Sequence, residues 1–368
     1  MTSNDIKLFK KLLSYRSITP DDGGAFDFID DYMGNEWQIK KLDFEKVKNR
    51  VYTKKFDNNK RHLCFAGHID VVPPGEGWHT QPFEPVEKDG KIYARGSQDM
   101  KSGVASFLYT CKNIQNFKGT ISIILTSDEE GDAVDGTVKV LEHLKEQNSL
   151  PDFAIVAEPT CEKVFGDTIK IGRRGSINGY LELFGVQGHA AYPQKAINPI
   201  DLIAPILPQI SSKDLDSGDE FFAPSKLVLT DIRAGMQVTN VTPNSLKLIF
   251  NVRNSTKTTQ KEVSTFIEKT FAGLKYNLTM TQGSYPFITN KKSKIIKKVQ
   301  NSIKKVLNID TDLSTAGGTS DARFFASFGV EVVEFGVIND KIHAIDENTT
   351  IYEVKNLTKI FQDILDSF

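Results

Sequence analysis

Residues 64–78 read CFAGHIDVVPPGEGW and, after a turn-rich interval, residues 93–103 read YARGSQDMKSG. The apolar run 63–66 predicts a short buried strand, with His68 and Asp70 just beyond its end and Asp99 about thirty residues further on. Imidazole and carboxylate groups gathered at a strand end point to a metal site, but one His and two Asp are too few to hold a catalytic ion. Two later stretches complete the donor set: TSDEEG at 126–131 and AEPT at 157–160.

Outward from that centre, residues 5–15 place Ile6, Phe9, Leu12 and Leu13 at helical spacing behind the candidate caps Ser3, Asn4 and Asp5. A second helix is predicted over 25–32, and strand segments over 38–42 and 49–54. Asp89-Gly90 is a two-residue hairpin signal, so the interval between His68 and Asp99 is expected to be a β-excursion. Residues 100–113 read as a helix. TISIILT at 120–126 is the clearest core strand, and Glu129 and Glu130 follow it directly. A helix over 136–147 and a strand over 153–157 come next, with Glu158 before Pro159. Strand, ligand-type residue, turn and helix thus recur three times. In open α/β sheets ligands bind beyond the carboxyl ends of strands, so these groups are expected to converge.

The pattern changes near Gly175. Strands are predicted over 176–186, 226–233 and 245–253, a helical stretch over 198–210 beginning at Pro199, and a helix over 260–274. This reads as a small α+β domain at 175–287 inserted into an α/β domain formed by 1–174 and 288–368, with sheet edges through which two copies can associate. The larger domain resumes with a basic amphipathic helix over 294–307, a strand over 330–335 and a closing helix over 354–365.

The length of 368 residues exceeds what one hydrophobic core usually supports, in agreement with two domains. With 46 basic and 47 acidic residues the net charge is -1, which provides no bulk field for nucleic acid or anionic membrane. Cys64, Cys111 and Cys161 are an odd number without paired spacing, which argues against a disulfide framework or a thiolate zinc site and for a reducing compartment. No leader-like h-region and no bilayer-length apolar run is present, so a soluble cytoplasmic protein is expected.

A pair of ions needs about three ligands each with one shared, and His68, Asp99, Glu130, Glu158 and His343 supply that number with one carboxylate bridging. Singly, each has a bland reading: a lone His near a strand end is commonly structural, and adjacent Glu residues commonly form a solvated turn. Their repeated placement after apolar strands favours metal, because acids beside a core cost stability unless paired or coordinated. One carboxylate of the Glu129-Glu130 pair can bind metal while its neighbour moves a proton. Asp70 is expected to orient the His68 ring through its second nitrogen, against the alternative of a turn-forming Asp. His62, His79 and His143 read as surface or structural. Lys170, Arg173 and Arg174 form a compact basic group, and AGGTSD at 316–321 can present backbone N–H groups; together they imply an anionic substrate. His189 is flanked by Gly188 and Ala190, which leaves its ring unobstructed.

HIDVVPPG, DMKSG, SDEEG, AEPT, GRRGS, GVQGHAAYP, NVTPNSLKLIFNVR, GGTSDARF and IHAIDE, in this order, resemble the di-zinc aminoacylase and carboxypeptidase superfamily over nearly the whole chain. The resemblance implies a zinc-peptidase-like catalytic domain with a central mixed sheet flanked by helices, and a homodimer formed through the inserted domain. It implies two Zn2+, with Co2+ able to substitute: His68 and Glu158 on one ion, Glu130 and His343 on the other, Asp99 bridging. Glu129 becomes the general acid/base and Asp70 the partner of His68. His189 reaches the other subunit's active site to stabilise an oxyanion. Arg173, Asn240, Arg253, Gly318, Thr319 and Ser320 match positions that contact substrate. The implied reaction is hydrolysis of a small anionic N-acyl amino acid, N-succinyl-LL-2,6-diaminopimelate, with deacylation of acetylornithine or dipeptide hydrolysis as rivals. A non-catalytic dimeric binding protein on the same fold is a further alternative, disfavoured because every ligand and Glu129 are present. SQDMK and DARF depart from the commoner GAADMK and DGRF, without removing a ligand.

Overall fold

The computed structural model describes residues 3–368, which divide into two compact units. The first takes the chain up to Gly172, with Ile288–Ser314 and Ser320–Phe368; the second comprises Arg173–Phe287 and Thr315–Thr319.

The first unit is built on an eight-stranded mixed sheet. Its spatial order is Gln38–Lys41, Asn49–Lys55, Thr120–Thr126, His62–His68, Phe153–Val156, Glu331–Glu334, Thr168–Lys170 and Asp312–Ser314. The four strands from Thr120–Thr126 to Glu331–Glu334 are mutually parallel, so their carboxyl ends lie along one edge of the sheet. They read as near-continuous apolar runs because both faces are covered. Phe65 stacks on Phe107 of helix Lys101–Asn113 at 5.8 Å and meets Phe361 of helix Ile351–Ser367 edge-on at 5.1 Å. Helix Lys101–Asn113 also approaches the end of the Phe153–Val156 strand closely: a Cβ on Gly103 would lie 2.3 Å from the Ala157 carbonyl oxygen, so only glycine fits there. The basic helix Lys294–Leu307 buries Ile295, Ile296, Val299 and Ile303 and carries its lysines outward. The expected Asp89-Gly90 hairpin joins Val86–Lys88 to Lys91–Tyr93.

The second unit is a five-stranded antiparallel sheet in the order Lys213–Asp214, Lys226–Ala234, Ser245–Arg253, Ser176–Phe184 and Tyr276–Ser284. Alternate residues Leu246, Leu248, Phe250 and Val252 join Ile177, Leu181, Val263 and Ile267 in its core. Asp216 ties its loops, accepting from the hydroxyls of Ser225, Ser255 and Thr258. The helical stretch expected over 198–210 is broken into Pro199–Ile203 and Leu207–Ile210, because Pro205 and Pro208 lack the N–H groups a continuous helix needs. The helix expected over 260–274 ends at Thr270. Strand Tyr276–Ser284 was not anticipated: it pairs on one side only, and its half-buried, threonine-rich alternation lacks a strong apolar signal. Residues 315–319 group with this unit through the Thr315 hydroxyl, which donates to the Phe221 carbonyl. Among the described residues, no helix is long and apolar enough to cross a membrane.

Candidate metal centre and active site

Each donor anticipated from the sequence lies at or beyond a carboxyl end of the parallel strands, or on a loop folded over that edge. His68 is the last residue of its strand and is buried; Glu130 and Glu158 follow theirs. Ligand atoms of His68, Asp99 and Glu158 lie within 4.8 Å of one another, and so do those of Asp99, Glu130 and His343. Asp99 belongs to both sets. Its Oδ1 faces Nε2 of His68 at 3.2 Å, and its Oδ2 faces Nε2 of His343 at 3.4 Å. Nε2 of His343 lies 3.0 Å from Oε1 of Glu130. One carboxylate therefore offers one oxygen to each imidazole, the arrangement a shared ligand of two ions requires.

Local hydrogen bonds hold the loops. The Asp128 carboxylate accepts from the backbone N–H groups of Ala133, Val134 and Asp135. The Asp70 carboxylate accepts from those of Glu129 and Glu130, at 3.4 and 3.1 Å. The expected link between Asp70 and the second ring nitrogen of His68 runs through the main chain. Nδ1 of His68 bonds the backbone carbonyl of Asp70 at 2.9 Å, while the Asp70 carboxylate lies 3.7 Å away. Asp70 thus orients the ring through its main chain and spends its side chain on the two-glutamate turn.

The electrostatics test whether these donors fit cations. Burial, reinforced by Asp99, pushes the Glu158 carboxyl well above its usual range, and its Oε1 is buried without a hydrogen-bond partner. Glu129 is likewise raised by enclosure, with Asp321, Glu130 and Asp99 adding to it and His68 opposing. At Asp99 burial opposes ionisation, but the hydrogen bonds to His343 and His68 outweigh it and hold the carboxyl well below the usual range. Hydrogen bonds to Asp99 and to Glu130 raise His343 to about 10. Asp99, Glu129, Glu130 and Glu158 outnumber the two imidazoles, and divalent cations with nitrogen and oxygen ligands would supply the positive charge that lets all four carboxylates ionise. The donor set fits.

His189, Arg173, Asn240, Arg253, Gly318 and Thr319 belong to the second unit, and Ser320 to the first. His189 is exposed, and its Nδ1 accepts the Ala191 N–H at 3.0 Å, which leaves Nε2 to carry the proton. Arg173 is buried and donates to the Ala316 carbonyl at 3.1 Å. Its guanidinium closes on Gly317, where φ is +108° and a Cβ would sit 2.4 Å from Nη1, so this loop position requires glycine. The buried Ser320 hydroxyl donates to Glu334 at 2.7 Å, which commits its only proton. Lys170 pairs with Glu162 at 2.9 Å. His62 bonds Ser122, His143 bonds Lys40 and His79 pairs with Asp346, in line with structural roles. Sequence reading passed over Arg95, Gln98 and Glu347, all buried around the Asp99 loop. Glu347, four residues after His343 in IHAIDE, was the one signal available for them.

The chain belongs to the peptidase family M20/M25/M40, whose model matches residues 64–367, and is therefore a hydrolase. It is 62% identical to the succinyl-diaminopimelate desuccinylase of Aliarcobacter butzleri over 363 residues, 99% of each chain, and 58% identical to the enzyme of the same name from Sulfurimonas denitrificans, again over 99% of each. In fold it resembles the aminopeptidase PepT of Bacillus cereus, with a TM-score of 0.82 at 18% identity over 98% of this chain and 97% of that one. It also resembles the YXEP protein of Bacillus subtilis, described as a dinuclear metal-binding peptidase, with a TM-score of 0.73 at 14% identity over 98% and 96%.

Proposed function

We propose that the chain is a succinyl-diaminopimelate desuccinylase, hydrolysing N-succinyl-LL-2,6-diaminopimelate to succinate and LL-2,6-diaminopimelate in the cytoplasm. The observation that carries the chemistry is the pair of donor sets meeting at Asp99, with Glu129 beside them and in neither. The full-length likeness to enzymes of that name carries the substrate. His68, Asp99 and Glu158 would hold one zinc ion, and Asp99, Glu130 and His343 the other; cobalt would suit the same donors. When bound, the pair acidifies a water and polarises the scissile carbonyl. Glu129 takes the water's proton on a carboxylate oxygen and returns it to the departing amine nitrogen. Its raised proton affinity matches that double duty. Arg173, Asn240, Arg253, Gly318, Thr319 and the Ser320 backbone bind the substrate's carboxylates and position its carbonyl.

Metal-reconstituted protein is expected to cleave the N-succinyl compound with kcat/KM at least about a hundredfold above N-acetylornithine and a simple dipeptide, since a buried charge recognised by Arg discriminates strongly when it is absent. Equal or greater activity on either rival removes the substrate assignment and leaves the hydrolytic centre standing.

His189 donates Nε2–H to the developing oxyanion in the active site of the partner subunit of a homodimer formed through residues 175–287. Its committed Nδ1 supports this, as do Tyr180 and Val228, which stand 51% and 41% exposed on strands of the inserted sheet. His189→Ala is expected to lower kcat by about 10²-fold with metal content intact. Co-expressed with Glu129→Gln, it recovers about a quarter of wild-type activity, because half the dimers are hybrids with one complete site. No recovery in hybrids means that His189 acts within its own chain, and unchanged kcat in His189→Ala removes it from the mechanism.

A further inference from the structure

We propose that Arg95 and Glu347 are positioning residues that hold Asp99 and His343 at the separation the second metal donor set requires; this rests on the metal-centre reading above. The Glu347 side chain is buried and receives four donors. Oε1 accepts the N–H groups of Gln98 and of Asp99 itself, at 2.7 and 3.1 Å. Oε2 accepts the Gly96 N–H at 3.0 Å and Nη1 of Arg95 at 2.7 Å. Arg95, also buried, carries the connection onward: Nη2 donates to the carbonyl of His343 at 3.2 Å and to that of Pro74 at 3.3 Å. Its guanidinium lies over the Trp78 ring at 5.3 Å, and the indole N–H bonds the same Pro74 carbonyl at 2.7 Å. A continuous path therefore runs from the main chain of Asp99, through Glu347 and Arg95, to the main chain of His343.

Gln98 ties the same two loops a second time. Its amide donates to Asp340 at 2.7 Å and to the Asn348 carbonyl at 2.9 Å, and its Oε1 accepts the Lys341 N–H at 2.8 Å. The His343 loop needs such support, because His343 and Asp346 both hold left-handed backbone, with φ of 59° and 56°. A buried ion pair is a poor device for stability alone, since apolar residues of the same volume serve as well or better. Its value here is directional: a charged fork and a carboxylate fix the relative position of two loops that carry donors, where errors of about 0.5 Å matter. Asp99 is shared, so a loosened clamp touches both sets, but His343 serves only the second, which therefore loses more.

The test is calorimetric titration of metal-free protein with Zn2+, repeated with Co2+ to read the visible absorption of each bound ion. In Glu347→Gln an amide N–H2 replaces one oxygen and opposes the Gly96 N–H or Arg95. Arg95→Lys keeps a positive charge opposite Glu347 while losing the second amino group that reaches His343, and it carries the test if Glu347→Gln fails to fold. Both are expected to weaken the second ion ten- to hundredfold while the first stays within about threefold. Two ions bound with unchanged affinities, or both weakened equally, overturn the positioning role. Wild-type protein that binds fewer than two ions removes the metal-centre reading and the positioning role with it.

Discussion

Glu129→Gln is expected to lower kcat by about 10⁴-fold, at the upper end of what general acid–base groups contribute, while both metal ions remain bound. In the proposed mechanism the carboxylate acts twice, on the attacking water and on the leaving amine, and an amide does neither. Its neighbour Glu130 cannot replace it, because Oε1 of Glu130 is engaged by His343 at 3.0 Å. Metal retention is part of the expectation: Glu129 belongs to neither donor set, and the turn that carries it is held by Asp70 through backbone N–H groups that the substitution leaves unchanged. Metal content and kcat measured on the same preparation decide the matter. Near-normal turnover removes Glu129 from the mechanism; lost activity with lost metal makes it a structural or ligand residue.

Asp99→Ala is expected to be the most damaging single change to metal binding. Its two oxygens face different imidazoles, so both donor sets fall to two residues, His68 with Glu158 and Glu130 with His343. Both affinities are expected to drop more than about a hundredfold, beyond the cost of removing an outer hydrogen-bonding partner. Glu158→Ala is the internal control, because it depletes only the set containing His68. Equal loss of one ion in both variants, read by metal analysis after dialysis, contradicts the shared role of Asp99.

Much of this site was legible because its donors obey a local rule. His68, Glu130 and Glu158 each follow an apolar run of the kind that forms a parallel strand, and strands of one parallel set end at one edge. The Asp89-Gly90 hairpin and helix Lys294–Leu307 were legible for the same reason, since turn chemistry and helical periodicity act over a few residues. Reading failed where neighbours in space are distant in sequence or where a side chain has competing options. Strand Tyr276–Ser284 is specified largely by its partner Ser176–Phe184, about a hundred residues earlier. Asp70 had a ring nitrogen and two backbone amides within reach, and its carboxylate went to the amides.

By itself, then, the sequence determined the strand-and-ligand pattern, the α/β class and the family to which the chain belongs, and it nominated the metal-type donors and the inserted α+β segment. Only the tertiary structure decided that Asp99 offers one oxygen to each histidine, that Asp70 supports the two-glutamate turn, that residues 315–319 group with the inserted unit, and that Arg95 meets Glu347 across 252 positions of chain. The physical reason is one of range: periodicity and turn propensity act between near neighbours, whereas a buried charge takes its partner from whichever distant segment the packed sheet brings beside it.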